Sequence, residues 1–137
     1  MKSFFALLLS IIFTFTVAHG QSKIDSSLLV GKWKFVKFEL PDGWSDTAGL
    51  IDKSNKEFKG AIYNFTKDKR MLITQPNGPK SPGNLKYSIN GVKVYVKPAG
   101  APKSATQVIV IEVLDQEQLR FSVEGSEAVG IFQRISE

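Results

Sequence analysis

The sequence predicts an all-β domain of eight antiparallel strands in up-and-down order, closed into a barrel behind an N-terminal leader. Three observations carry that prediction. From Gly31 onward, short runs of alternating apolar and polar residues are separated by turn residues. No long segment keeps a helical period. Nearly all the runs are joined by short, hairpin-type connections, and consecutive antiparallel strands close most simply into a barrel, which removes the edges an open sheet would expose. A flat sheet or a sandwich of the same strands is the structural alternative.

Residues 1–20 read as a secretory signal peptide. Lys2 supplies the positive end, Phe4 to Ala18 (FFALLLSIIFTFTVA) is the apolar run, and Ala18 and Gly20 are the small residues before a cut at Gln21. A membrane anchor is the alternative, but fifteen apolar residues fall short of the roughly 20 that span a bilayer. No cysteine follows the run, so a lipid cannot be attached there. The expected product is secreted or periplasmic. Taking 20 residues from 137 leaves 117, residues 21–137, enough for one domain with a core and too few for two. Without Lys2 the net charge of +5 falls to +4.

The chain has no cysteine, and its one histidine, His19, lies inside the leader. The remaining domain therefore lacks the usual general base, zinc ligands and activated thiol. No cofactor, metal or catalytic residue is expected, and the reading is non-enzymatic. The basic balance raises nucleic acid as a partner. The lysines, however, spread over most outward strand faces without a recognised motif, so nucleic acid is not expected. Asn64-Phe65-Thr66 matches a glycosylation acceptor but falls on a strand.

Strand one covers residues 31–40. Trp33 and Phe35 share one parity and Val36, Phe38 and Leu40 the other, so a bulge or bend is expected near Phe35–Val36. Residues 41–58 form the one long connection, opened by Pro41-Asp42-Gly43. They are expected to hold a short helix over about 45–53, N-capped by Ser45 or Asp46. A loop this long is usually functional or disordered. Strands at 61–66 and 70–75 are joined by Lys67-Asp68-Lys69, a three-residue loop that sets Phe65 opposite Met71 and Tyr63 opposite Ile73. Such a loop favours glycine where Lys69 stands.

A Pro- and Gly-rich connector, residues 76–84, leads to strands 85–89 and 92–97. Asn90-Gly91 between them marks a type I′ hairpin. That hairpin pairs Ile89 with Val92, Tyr87 with Val94 and Leu85 with Val96. The last strands are 107–114, 119–124 and 127–135. Pairing Leu114 with Leu119 puts Val110, Glu112, Leu114, Leu119, Phe121 and Val123 on one face, joined across Gly125-Ser126 by Ala128, Gly130, Phe132 and Arg134.

Gly31-Lys32-Trp33 at the start of strand one resembles the Gly-x-Trp signature of lipocalins and related calycin barrels. The resemblance is to the compact bacterial lipocalin-like domains, since the chain carries no Thr-Asp-Tyr motif and no disulfide. It implies that Trp33 plugs the closed end and that a basic residue of the last strand, here Arg134, lies across its ring. Gly31, Trp33 and Arg134 are then the residues that close the barrel. A guanidinium over an indole gains roughly 0.5–2 kcal/mol, and Gly31 lets the backbone turn in tightly below the ring.

The resemblance also implies a lumen. The inward residues Tyr63, Phe65, Met71, Tyr87, Val94, Phe121 and Phe132 either line a cavity or fill the barrel outright, as both occur with eight strands. Glu112 either points inward, to orient a polar headgroup or to pair with a lysine or arginine in the lumen, or faces water after a one-residue slip that leaves Ile109, Ile111 and Val113 inside. Trp44 gates the mouth or presents a sticky contact to a partner, or else anchors the long loop against the rim. The function implied is non-catalytic binding of a small hydrophobic or amphipathic ligand through Tyr63, Phe65, Met71, Tyr87, Val94, Glu112 and Phe121. The alternative is a cell-envelope protein-interaction module with a filled barrel, working through the 41–58 loop.

Overall fold

The computed structural model describes residues 24–46, 48–76 and 84–136. The leader with His19, and most of the 76–84 connector, lie outside the described residues. The chain runs α1 (Ser26–Leu29), β1 (Gly31–Glu39), α2 (Leu50–Glu57), β2 (Ile62–Phe65), β3 (Arg70–Thr74), β4 (Leu85–Asn90), β5 (Lys93–Pro98), β6 (Gln107–Leu114), β7 (Gln118–Val123) and β8 (Val129–Arg134). A single 3₁₀ turn, Lys103–Ala105, sits between β5 and β6. The eight strands close into one barrel in sequence order, each antiparallel to the next, with β8 returning to β1.

β1 changes phase where its apolar pattern does. Phe35 pairs with Phe132, but Lys37 pairs with Ile131, so Val36 is the extra residue of a bulge. Phe35 is buried and Val36 is half exposed. Phe38, on the far side of the bulge, packs back onto the core. The β1–β2 pairing closes with the Phe35 amide donating to the Ala61 carbonyl at 2.9 Å, and the amide of Phe38 donates instead to the side-chain carbonyl of Asn55 on α2 at 2.6 Å. The helix thus stands in for a missing strand partner.

That helix starts later than expected. The 45–53 reading gives way to Leu50–Glu57, because Gly49 takes a left-handed conformation (φ 66°) and reorients the chain just before it. Asp46 still serves the helix start: its carboxylate accepts from the amides of Ile51 and Asp52 at 3.1 and 3.2 Å. The β2–β3 hairpin has the expected register, Phe65↔Met71 and Tyr63↔Ile73. Lys69 occupies its left-handed position with φ 66°.

Two registers differ from the expectation. β4 and β5 pair Tyr87↔Val96, Ile89↔Val94 and Asn90↔Lys93. The tight loop is therefore Gly91-Val92, with Gly91 at φ 66° in its first position, and every cross-strand pair shifts by two. A shift of two preserves parity, so Leu85, Tyr87, Val94 and Val96 stay buried. In β6 the pairing moves from Ile111↔Phe121 to Val113↔Arg120, which makes Glu112 a bulge residue. Leu114 does oppose Leu119, but the bulge reverses the phase upstream. Ile109 and Ile111 face the core and Glu112 is exposed.

The closed end is built around Trp33, which is wholly buried. Its indole N–H donates to the Leu29 carbonyl at 2.9 Å. The Arg134 guanidinium lies over the ring, 4.2 Å from its centroid. That guanidinium also donates to the carbonyls of Gln116 (2.7 Å), Val30 (3.1 Å) and Leu28. Gly31 has φ 135°, and a Cβ there would meet Arg134 Nη1 at 2.6 Å. Glycine is needed both for the backbone turn and for the guanidinium's place.

Gly31→Ala is expected to destabilise the fold by on the order of 2 kcal/mol. In an Arg134→Ala background the same change costs less, because the clashing group is gone; urea unfolding of the four proteins in the cycle measures the difference. Lys69→Gly is expected to raise stability by about 0.5 kcal/mol, since relief of the left-handed backbone outweighs the entropy of glycine. A higher urea midpoint checks it.

Candidate functional site

The strand directions put the β2–β3, β4–β5 and β6–β7 loops and α1 at the Trp33 end. The α2 connection, the 3₁₀ turn and the β7–β8 turn lie at the other. The interior is divided along that axis. Toward the closed end it is packed solid: Phe65, Val94, Leu119 and Phe132 are essentially inaccessible. Phe65 meets Tyr87 edge-on at 5.3 Å between ring centres, and Phe132 stacks on Phe121 at 4.9 Å. From Phe132 the rings continue through Phe35 (5.6 Å) to Phe38 (4.8 Å beyond) and Phe58 (5.1 Å beyond).

Toward the open end a cavity of about 390 Å³ remains, lined by Tyr63, Met71, Ile73, Val96, Ile109 and Phe121, with Gln75, Phe58 and Pro98 toward its mouth. Among the described residues β3 pairs with β4 at Arg70↔Lys86 and Met71↔Leu85, and Ile73, further along β3, lines the cavity.

Of the residues expected to line a cavity, Tyr63, Met71 and Phe121 do so. Phe65, Tyr87 and Val94 sit deeper, in the packed half. The Tyr87 hydroxyl is already engaged, donating to the Thr66 carbonyl at 2.8 Å. Glu112 is on the outside. Trp44 is 56% exposed and lies outside the cavity, in a surface groove with Leu40, Leu50 and Ala128 of the β7–β8 turn. Sequence reasoning missed Ile73, Gln75, Val96 and Ile109 as a set. The parity of β3 and the β6 alternative that leaves Ile109 inside were the signals for two of them.

Tyr63, Gln75, Gln107 and Lys97 bring polar groups to the otherwise apolar lining. Gln75 Nε2 is buried with no hydrogen-bond partner among the described residues. Burial pushes the Tyr63 phenol up to about 12, so it remains a neutral hydroxyl across the physiological range. Among the described residues the one charged side chain on the wall is Lys97, and its ammonium donates to the Ala101 carbonyl at 2.9 Å. Among the described residues no group of three or more carboxylate, imidazole or thiol side chains could hold a metal ion. Nor is any described helix long and apolar enough to cross a membrane.

The structure is similar to that of a lipocalin-like protein from Bacteroides uniformis, with a TM-score of 0.54 at 20% identity, covering 79% of this chain and 99% of that one. The fold is lipocalin-like. No protein-family model matches the sequence, and no curated protein does. The likeness is one of architecture. In this lipocalin-like barrel the Gly31–Trp33–Arg134 closure lies where the sequence resemblance implied, and the cavity lies at the opposite end.

The Tyr63 phenol gives the barrel a measurable alkaline signature. In the unfolded chain a tyrosine loses its proton near 10; in the fold Tyr63 holds it to about 12. Stability is therefore untouched below pH 10 and falls as pH rises from 10 to 12, by up to about 2–3 kcal/mol. Thermal melts across that range should show a shallower decline for Tyr63→Phe. The residual slope includes Tyr87, which burial, aided by the Asp68 charge, also raises.

Proposed function

We propose that this protein is exported, loses residues 1–20, and binds a small hydrophobic or amphipathic molecule in the upper half of its barrel without chemistry. The observation that carries this reading is the apolar cavity of about 390 Å³ at the end away from Trp33, a volume within the usual range of small-molecule sites. Removing apolar surface from water at roughly 25 cal/mol per Å² supplies the driving force. The packed half below holds the walls in place, so little ordering is needed on binding.

A second reading is an envelope interaction module. It is favoured by the exposure of Trp44 (56%) and Leu50 (63%), which share a surface groove outside the barrel. Large apolar groups left in water together mark contact surfaces more often than chance single residues do.

The readings separate in one experiment. Native mass spectrometry of protein purified from its own host should show a species beginning at Gln21 and a fraction carrying a small molecule. Val96→Phe, which fills the cavity from its wall, should lose that molecule and keep its melting temperature within a few degrees. A clean apo mass, with no uptake of apolar probes by either protein, would retire the lumen reading in favour of the second.

A further inference from the structure

The outer face of β3, β4 and β5 carries charge of one sign. Its basic residues are Arg70, Lys86, Lys93 and Lys97, and none of the three strands has a carboxylate. The register sets three of them side by side: Arg70 opposes Lys86, and Lys86 opposes Lys97. All three point outward, since the alternate residues Met71, Leu85 and Val96 are buried. Directly opposed side chains on one face lie about 5 Å apart at Cβ, where like charges repel. The chain relieves the row at its ends. Asp68 pairs with Arg70 at 2.9 Å, and the Lys97 ammonium donates to the Ala101 carbonyl at 2.9 Å. Lys93, outside the row, meets Glu124 at 3.1 Å. Lys86, in the middle, is exposed. Apolar groups are set among these cations. Leu72, two residues along β3 from Arg70 and on the same face, is 42% exposed. Tyr95 stands between Lys93 and Lys97, half-buried, on the outward parity of β5.

We infer that this wall docks the barrel on an anionic lipid surface, with the Arg70–Lys86–Lys97 row among headgroup phosphates and Leu72 and Tyr95 at the level of the interface. The inference goes beyond the lumen reading and stands whether or not the lumen is occupied. Charge complementarity carries it. A phosphate-bearing surface supplies the counter-charge that β3–β5 lack, and it turns repulsion within the row into a shared attraction. Each basic residue close to an anionic leaflet strengthens partitioning by about fivefold, so a row of three holds where one does not. Leu72 decides between lipid and a water-soluble anionic polymer. A polymer would meet the cations and leave that side chain in water. A bilayer boundary takes apolar groups and tyrosine rings beside its charges. Lys97 also lines the cavity, so a barrel docked on this wall holds the edge of its cavity against the headgroups.

The test is co-sedimentation of protein purified from its own host with vesicles of phosphatidylcholine, alone or with about one third phosphatidylglycerol. The wild type should bind the anionic vesicles at least about tenfold more tightly than the neutral ones, and lose that preference as salt rises from about 0.05 to 0.5 M. Lys86→Glu should weaken anionic binding on the order of twentyfold, for two units of charge. Its melting temperature should hold or rise, since a carboxylate then stands between Arg70 and Lys97. Lys53→Glu, the same change in net charge on α2, should weaken binding severalfold less. Leu72→Ser should weaken binding to vesicles and leave retention on heparin unchanged. Equal losses for Lys86→Glu and Lys53→Glu would reduce the effect to net charge and overturn the wall. A Leu72→Ser protein that binds vesicles as before, with heparin preferred to lipid, would replace the membrane with a polymer. No preference of the wild type for anionic over neutral vesicles overturns the inference without any variant.

Discussion

The Arg134 guanidinium is the point on which the barrel depends. It comes from the last strand, lies over the indole of the first, and donates to carbonyls of the segment before β1 and of the β6–β7 loop. No carboxylate is among those partners. Its hydrogen bonds go to backbone oxygens and its face to a π system, with the Asp115 charge nearby, an arrangement that a guanidinium, with five donors in a plane, can satisfy and an ammonium cannot. One side chain thereby joins four stretches of chain that would otherwise fray separately. The short helix α1 is otherwise too small to stand alone. It is held because Trp33 and Arg134 use the carbonyls at its end.

From that floor upward, the interior is first rings and then space. The barrel does not choose between being filled and being hollow. Phe132 and Phe121 lie parallel, 10° apart, and continue the packing started by Trp33. Above them the side chains become Val96, Ile109 and Ile73, which are too short to meet across the lumen. β1 completes the aromatic layer through its bulge, which lets Phe35 and Phe38 face the same side. Gly130, opposite Phe38, leaves room for that ring, since a Cβ would come within 3.3 Å of it.

The strand order, the closure pair and most of the buried set were legible because they follow from period-two alternation and from one short motif. Registers were less so. Asn90-Gly91 located a turn but not its centre, because the backbone requirement is a positive φ at the first loop position, and Gly91 alone can meet it there. Glu112 illustrates a different limit. Alternation assumes an unbroken pleat, and a bulge at the carboxylate itself lets both β-branched neighbours and Leu114 keep their places. Gln75 was read as the end of a strand. Its place on the cavity wall is a tertiary fact with no local trace.

Asn55 carries a consequence for how such a barrel can be altered. Loops around an open barrel end are usually the place where length and sequence vary freely, since they bear little of the scaffold. Here the stretch between β1 and β2 supplies the partner for the Phe38 amide and, through Phe58, a ring of the interior layer. It is wall as much as loop. Grafting foreign segments or trimming length between residues 41 and 60 would unzip the upper part of β1. The tip of the β7–β8 turn, beyond Glu124, where Ser126 and Ala128 bond within the turn, is the natural site for insertion.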